Sequence, residues 1–294
     1  MANLKAIRIR ISSVKSTRQI TSAMKMVSAA KLRKAQDKIV RLKPYVNKLQ
    51  EILGGLSKSL ADAEVENIYG RVSDPENILI VVVTSNRGLC GAFNANVIKE
   101  TRKLISEKYP EQYRKGNVKI LTIGKKGYDF FRKTSVKLLP DQNSLLNHLT
   151  FESVSAVAEE LMRSFVSLEY DRIDIVYNQF KNAAVQNLTV ESFLPVTGGP
   201  KGKVTEEVVD YIYEPDQEAI VKDLIPKSLK IQFYKAVLDS YVAEHGARMT
   251  AMHKATDNAT QLIRDLTLQY NKARQASITN QILEVVSGAE ALRG

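Results

Sequence analysis

Tryptophan is absent from this 294-residue chain, cysteine occurs once, at Cys90, and histidine three times, at His148, His245 and His253. A lone thiol excludes an internal disulfide and points to a reducing compartment. None of the histidines makes a metal-binding spacing with Cys90, so no metal site is expected. Long apolar runs are also missing. The longest strongly apolar stretch, Ile78 to Val83, is far short of the roughly 20 residues that span a bilayer. The N-terminus has neither the apolar segment nor the small-residue cleavage site of a secretory signal, and its basic residues follow a helical pattern, so it reads as part of the mature protein. Membrane attachment would then run through partners.

Glycine and proline are scarce where it matters most. Ala2 to Gln50 holds no glycine and only Pro44, while Lys227 to Ser287 holds no proline and only Gly246. Both ends therefore read as very long helices, against the roughly 10 to 14 residues usual in globular proteins. At about 1.5 Å per residue each reaches some 70 to 90 Å. Helices of that length cannot bury one face on a compact core throughout; they must pair with each other or with a partner. Acidic residues are scarce at one end only. Residues 1–60 carry 14 Lys and Arg against Asp37 and Glu51, a net of +12. Residues 227–294 are +3 and residues 61–226 are −4, which together give the overall +11. A basic arm of this kind implies an acidic protein surface or a nucleic acid as partner.

One heptad register persists through the first helix. One position takes Leu4, Ile11, Arg18, Lys25, Leu32, Ile39, Val46, Leu53 and Leu60; the other takes Ile7, Val14, Thr21, Ser28, Ala35, Leu42, Leu49 and Leu56. An apolar repeat of about 3.5 residues predicts a left-handed coiled coil. Pro44 and Gly54-Gly55 are points where the helix could bend or end. The seam turns polar at Arg18, Thr21, Lys25 and Ser28, while Ile20, Met24 and Val27 lie on a shifted stripe. Either this stretch presents apolar groups to a third body, or the coiled coil locally changes register.

The C-terminal segment alternates steps of three and four through Leu238, Val242, His245, Met249, Met252, Thr256, Ala259, Ile263, Leu266, Tyr270, Ala273, Ser277 and Asn280. Its many small residues allow close approach but give a weak seam. The end, with Ile278, Ile282, Leu283, Val285 and Val286, is apolar and is expected to sit in a sleeve made by other chains, the alternative being simple fraying of the terminus. A domain between the two helices that returns the chain to its start lets them pair antiparallel.

The middle alternates strands and helices. Ile78–Val83 is continuous and largely β-branched, as a buried parallel strand would be. Val118–Ile123, Ile173–Tyr177 and Leu188–Phe193 read as further strands, with helical stretches to about Glu107, over Lys125–Lys133 and over Phe151–Leu168. The pattern predicts a three-layer α/β unit. Residues 197–207 read as a loop, with Glu214-Pro215 and Pro226 punctuating the return to helix. The turn Ser85 to Gly91 sits where a phosphate could be cradled, yet neither nucleotide-binding glycine motif occurs in the chain. Cys90 is expected to be a buried thiol rather than a nucleophile. No catalytic constellation is found.

Three segments resemble the gamma subunit of rotary, F-type ATP synthase. The first, within Ile7 to Gln36, holds Ser13-Val-Lys-Ser-Thr-Arg-Gln-Ile-Thr-Ser-Ala-Met-Lys-Met-Val27 and Ala29-Ala-Lys-Leu-Arg33. The second is Ser85-Asn-Arg-Gly-Leu-Cys-Gly-Ala-Phe-Asn94. The third combines Ala247-Arg-Met-Thr-Ala-Met252, Ala255-Thr-Asp-Asn-Ala259 and Tyr270-Asn-Lys-Ala-Arg-Gln-Ala-Ser-Ile-Thr279. The family usually has Asp where this chain has Asn86, which weakens any charge-based role for that turn. The cysteine-pair insertion of the chloroplast form is absent, so the form is bacterial-like and thiol regulation of that type is not expected.

The resemblance implies an α/β fold class: a long antiparallel coiled coil of the two terminal helices plus a central Rossmann-like domain. The expected divisions are a helix over 1–60, the α/β domain over 76–196, a loop and return segment over 197–215, and the C-terminal region with its long helix over 216–294. It further implies a non-catalytic rotor subunit without cofactor or metal. Such a subunit sits inside three alpha and three beta subunits, contacts the epsilon subunit and the c-subunit ring, touches the membrane only through partners, and binds no nucleic acid. Torque from the ion-driven ring would reach the beta active sites through the shaft, on the cytoplasmic face of the bacterial inner membrane. Partner contacts carried over by the resemblance are Met24, Lys25, Lys31, Arg33 and Lys34 on the first helix and Arg274, Gln275 and Thr279 on the last. Two rivals remain from the residues alone: a nucleic-acid-binding coiled coil, with steeply salt-dependent binding, and a nucleotide-using enzyme built on the Ser85–Gly91 turn.

Overall fold

Strand β1, Ile78–Val83, is buried along its whole length, which requires cover on both faces. The computed structural model describes residues 4–60, 68–71, 74–196 and 217–292. It comprises two compact units, Met1–Ala29 with Arg248–Gly294, and Ala30–Ala247. Two helices run through both: α1 over Leu4–Leu60 and α6 over Gln217–Ala291.

In the larger unit, β1 lies at the centre of a five-stranded sheet. It pairs in parallel with β2 (Val118–Ile123) on one side and β4 (Arg172–Phe180) on the other. The short β3 (Lys137–Leu138) extends the sheet beside β2 in parallel, and β5 (Gln186–Leu194) runs antiparallel along β4. The order is β3-β2-β1-β4-β5. Because side chains alternate along a strand, Leu79, Val81 and Val83 enter one core and Ile78, Ile80 and Val82 the other. The first core is closed by α5 (Phe151–Val166), through Val154, Leu161 and Phe165, and by Leu229, Phe233 and Val237 of α6. The second is closed by Val97 and Ile105 of α2 (Phe93–Lys108), Tyr109 ahead of α3 (Pro110–Lys115), and Phe131 of α4 (Lys125–Phe131). The expected three layers are present.

The departures from expectation have physical causes. Pro44 and Gly54-Gly55 interrupt nothing: α1 continues to Leu60. Helix α6 starts at Gln217 and carries Pro226 inside it. Burial of Leu229, Ile231 and Phe233 just beyond offsets the roughly 3 kcal/mol that an interior proline costs. Strand β3 and helix α3 are too short to leave a periodic signal. The loop read at 197–207 and the Glu214-Pro215 break lie outside the described residues, as do the side chains of the seam positions Leu53, Leu56 and Leu60. Within this unit α1 keeps its register: Leu32, Ala35, Val46 and Leu49 are buried, and Val46 and Leu49 cluster with Ile231 of α6.

Two buried polar clusters sit on opposite faces of the sheet. Asp174 of β4 is fully buried; it accepts hydrogen bonds from the Tyr109 hydroxyl (2.5 Å), Lys108 Nζ (3.1 Å) and Arg172 Nε (3.1 Å). These contacts pin the junction of α2 and α3 to the sheet. Burial first, then the Asp174 charge, pushes the Tyr109 hydroxyl well above the usual tyrosine range. On the other face, Tyr177 donates to Glu191 Oε2 (3.0 Å) and Gln232 Nε2 of α6 donates to Glu191 Oε1 (2.7 Å). Close to that pair is Asp239, a buried acid on α6. Desolvation raises its carboxyl to about 6, with Lys235 opposing and Glu191 reinforcing the shift. The folded state thus prefers neutral Asp239, and its contribution is present at low pH and lost as pH rises through about 6. Asp239→Asn is expected to be more stable than the wild type at pH 8, by up to roughly 3 kcal/mol. The gain should shrink as pH falls from 6 to 4; denaturant melts at pH 4, 6 and 8 check it.

Candidate interaction surface

In the smaller unit the two helices pair antiparallel, as three side-chain contacts show. Arg8 Nη2 donates to the Tyr270 hydroxyl (2.7 Å), Thr21 Oγ1 and Thr256 Oγ1 share a hydrogen bond (2.9 Å), and Lys25 Nζ lies 3.4 Å from His253 Nδ1. As α1 advances from residue 8 to 25, its partner recedes from 270 to 253. The Tyr270 hydrogen bond also holds the Arg8 guanidinium above its ordinary value.

The seam follows the heptad reading without a change of register. Leu4, Ile7, Ile11, Val14, Arg18 and Lys25 are half-buried, and Thr21 and Ser28 are buried. Across from them Met252, Ala259 and Leu266 are buried, while Met249, Thr256, Ile263, Tyr270, Ala273 and Ser277 are half-buried. The polar residues therefore do face inward. Ile20 and Val27 face outward at 61% and 57% exposure, and Met24 is half-buried at the edge.

The anticipated contact residues fall into separate patches. Met24 and Lys25 lie on the outward stripe and its margin, with Lys25 partly engaged by His253, itself 3.4 Å from Asp257 Oδ2. Arg274, Gln275 and Thr279 are all exposed. They lie about 30 Å along α6 from the residues facing Met24, at 1.5 Å per residue. Lys31, Arg33 and Lys34 are exposed on the part of α1 that belongs to the larger unit. From Ile278 to Leu292 every residue is exposed, including Ile282, Leu283, Val285 and Val286. One feature escaped the sequence reading. Arg18, Gln19, Ser22, Ala23, Met26, Thr256 and Thr260 line an open cleft of about 410 Å³ beside the polar stretch. Its only advance signal was an arginine at a seam position.

The Ser85–Gly91 turn is bound up with its own neighbours. Asn94 Oδ1 accepts from the Ser85 amide (2.9 Å), Asn94 Nδ2 reaches Cys90 Sγ (3.2 Å), and Cys90 is buried. Asn86 bridges two loops: its Oδ1 accepts from the Lys125 amide (3.0 Å) and its Nδ2 donates to the Asn143 carbonyl (2.9 Å). An aspartate here would keep the first bond and lose the second. The amides of the next strand–helix turn are likewise occupied, Gly124 by Asn143 Oδ1 and Gly127 by Thr84 Oγ1. Above the turn, α6 closes in: Ala243 packs on Cys90 and Phe93, and a Cβ at Gly246 would lie 3.2 Å from Ala183 Cα. Side chains and α6 thus pack into part of the region where α/β sheets commonly bind nucleotides.

A family model for ATP synthase matches residues 3–292. The ATP synthase gamma chain of Flavobacterium johnsoniae is 55% identical over the full length of both chains. That of Cytophaga hutchinsonii is 49% identical over 99% of each. The chain belongs to the ATP synthase gamma chain family. Its fold recurs in a chain of the Euglena gracilis mitochondrial ATP synthase, OSCP/F1/c-ring, rotational state 3, with a TM-score of 0.67, 24% identity and coverage of 98% of this chain and 94% of that one. A chain of the rotor of the same enzyme in rotational state 1 gives 0.65 at 24% identity, covering 94% and 98%. Within this family Asn86 stands at the turn where the resemblance leads one to expect aspartate, and the geometry above shows how the asparagine is accommodated.

The tightest point of this region is Gly124, at φ +112°, where a Cβ would sit 2.3 Å from the Thr84 carbonyl oxygen. Gly124→Ala is expected to destabilise the larger unit by about 3 kcal/mol or more, because both backbone strain and overlap with main chain must be relieved. Urea unfolding followed by circular dichroism measures it.

Proposed function

We propose that this chain is the central-stalk rotor subunit of an ATP synthase, carrying torque between an ion-driven membrane ring and the catalytic head. Membership of the gamma chain family over its full length carries this reading. The helices over 1–60 and 216–294 act as the shaft, and the α/β region over 76–196 as the platform that meets the epsilon subunit and the c ring; the 197–215 segment connects them. Three alpha and three beta subunits surround the shaft. The chain itself is read as non-catalytic, a reading supported by the two neighbouring strand–helix turns, where the Ser85, Gly124, Lys125 and Gly127 amides are bonded to the side chains of Asn94, Asn143, Asn86 and Thr84. Among the described residues no helix is long and apolar enough to cross a membrane, which suits peripheral attachment through partners on the cytoplasmic face of the bacterial inner membrane.

The surface suits repeated engagement. The first 36 residues contain no acid, so acidic levers on the beta subunits meet a surface of one sign. Exposed ion pairs are each worth about 0 to 1 kcal/mol, weak enough to release and re-form as the shaft turns. The apolar tip beyond Ile278 and the outward Ile20 and Val27 supply the contact area that charges alone do not.

Native mass spectrometry of the assembly purified gently from its own membranes tests the reading. One copy per three alpha and three beta subunits is the expected result, whereas a lone chain or a nucleic-acid complex would overturn it. Within the assembly, Arg274→Ala combined with Gln275→Ala should lower proton-coupled ATP synthesis severalfold; unchanged synthesis would remove both residues from the contact surface. Charge reversal at Lys31, Arg33 and Lys34 should reduce coupling while moving stability by less than about 1 kcal/mol. An unfolded product would instead assign these residues a structural role.

A further inference from the structure

The ring of His253 stands between two groups of opposite charge, and both approach the same nitrogen. Lys25 Nζ, reaching across from α1, lies 3.4 Å from His253 Nδ1. Asp257 Oδ2, one turn further along α6, also lies 3.4 Å from that atom. All three residues belong to the smaller unit. The His253 and Asp257 side chains are 57% and 66% exposed, whereas Lys25 is half-buried. Two other charges lie near the ring in sequence, both on α6: Lys254, which is exposed, and Arg248, which is buried.

The two contacts make opposite demands on one atom. An ammonium only donates, so Lys25 requires Nδ1 as a bare acceptor. A carboxylate only accepts, so Asp257 requires Nδ1 to carry a proton. A neutral ring with its proton on Nε2 therefore serves Lys25 alone. A second proton completes the exchange, because both nitrogens of an imidazolium donate. Electrostatics acts in the same direction, since a charged ring is attracted by Asp257 and repelled by Lys25.

We propose that His253 is a proton-operated selector for Lys25: the neutral ring holds the Lys25 ammonium at the seam, and the protonated ring pairs with Asp257 and releases it. The helices keep their pairing throughout; only the place of one positive charge changes. Imidazole is the side chain whose charge ordinarily changes between pH 5 and 8, so acidification is the signal that this arrangement reads. What the released ammonium then meets, an acidic partner surface, rests on the rotor reading. The exchange rests on the three side chains alone.

The full-length chain, free of partners, provides the test. It is treated with a trace of an amine-acylating reagent at pH 8 and at pH 5.5. Mass spectrometry gives the acylation rate of Lys25 relative to Lys31, an exposed lysine on the same helix, so that the general effect of pH on amines cancels. On acidification the ratio should rise about two- to fivefold, the scale of an exposed charged pair. His253→Gln, which takes up no proton, should abolish the rise. Asp257→Asn, which removes the protonated ring's partner, should diminish it. A ratio that ignores pH, or a rise undiminished in either variant, would overturn the proposal. Nitrogen-15 NMR of the histidine rings at pH 8.5 checks the atom involved. Lys25→Ala should raise the share of His253 carrying its proton on Nδ1, and an unaltered tautomer balance would also overturn the proposal. Because no partner is present, these outcomes are independent of whether the assembly has the composition of a rotor and its ring.

Discussion

Two helices can run together for a long distance only if a narrow stripe on each meets the other at every turn, and much of this molecule answers to that requirement. Along α1 the stripe is kept from Leu4 to Leu49, through proline and through four polar positions. In the larger unit it is secured by Val46 and Leu49 against Ile231. In the smaller unit it is secured by small residues and a few cross-helix hydrogen bonds. The α/β sheet meets the same demand from another side, since Leu229, Phe233 and Val237 make α6 one of its covering layers. A helix that is sheet cover in one stretch and coiled-coil partner in another changes its apolar face along its length, which is why α6 is buried nearly all round before Ala247 and on one stripe after it.

The sheet itself is built as an enzyme's might be, with parallel strands on both sides of β1, and yet its usual ligand crevice is partly occupied. Asn86, Asn94 and Asn143 accept loop amides, Ala243 packs α6 onto Cys90 and Phe93, and Gly246 lets the same helix approach Ala183. At this end of the sheet, α6 is anchored through Ala243 against Cys90 and Phe93. On the proposed rotor reading, function resides in surfaces: a basic flank without acids, an outward apolar stripe, and an exposed tip.

Much of this was legible in the sequence, for a clear reason. A heptad stripe is a local, periodic signal, so the inward placement of Thr21, Lys25 and Ser28 followed from spacing alone. The continuous Ile78–Val83 run announced a strand covered on both faces. What escaped was short or non-local. Strand β3 and helix α3 span too few residues for a period to show, and the antiparallel direction of β5 depends on pairing with β4. The Asp239–Glu191 proximity joins a helix to a strand 48 positions away in the chain, and the cleft at Arg18 requires Thr256 and Thr260 from the opposite end. Pro226 misled because local cost was weighed without the burial that follows it. Among the anticipated contact residues, only the fold separates Met24 from Arg274 and shows Lys25 half withdrawn.

The last turns of α6 have a further consequence. Ile278, Ile282, Leu283, Val285 and Val286 are between 47% and 72% exposed, and Leu292 is 90% exposed. Contiguous apolar surface of this kind promotes association in water. A copy of this chain with nothing over these turns is therefore expected to associate with another through its exposed tip.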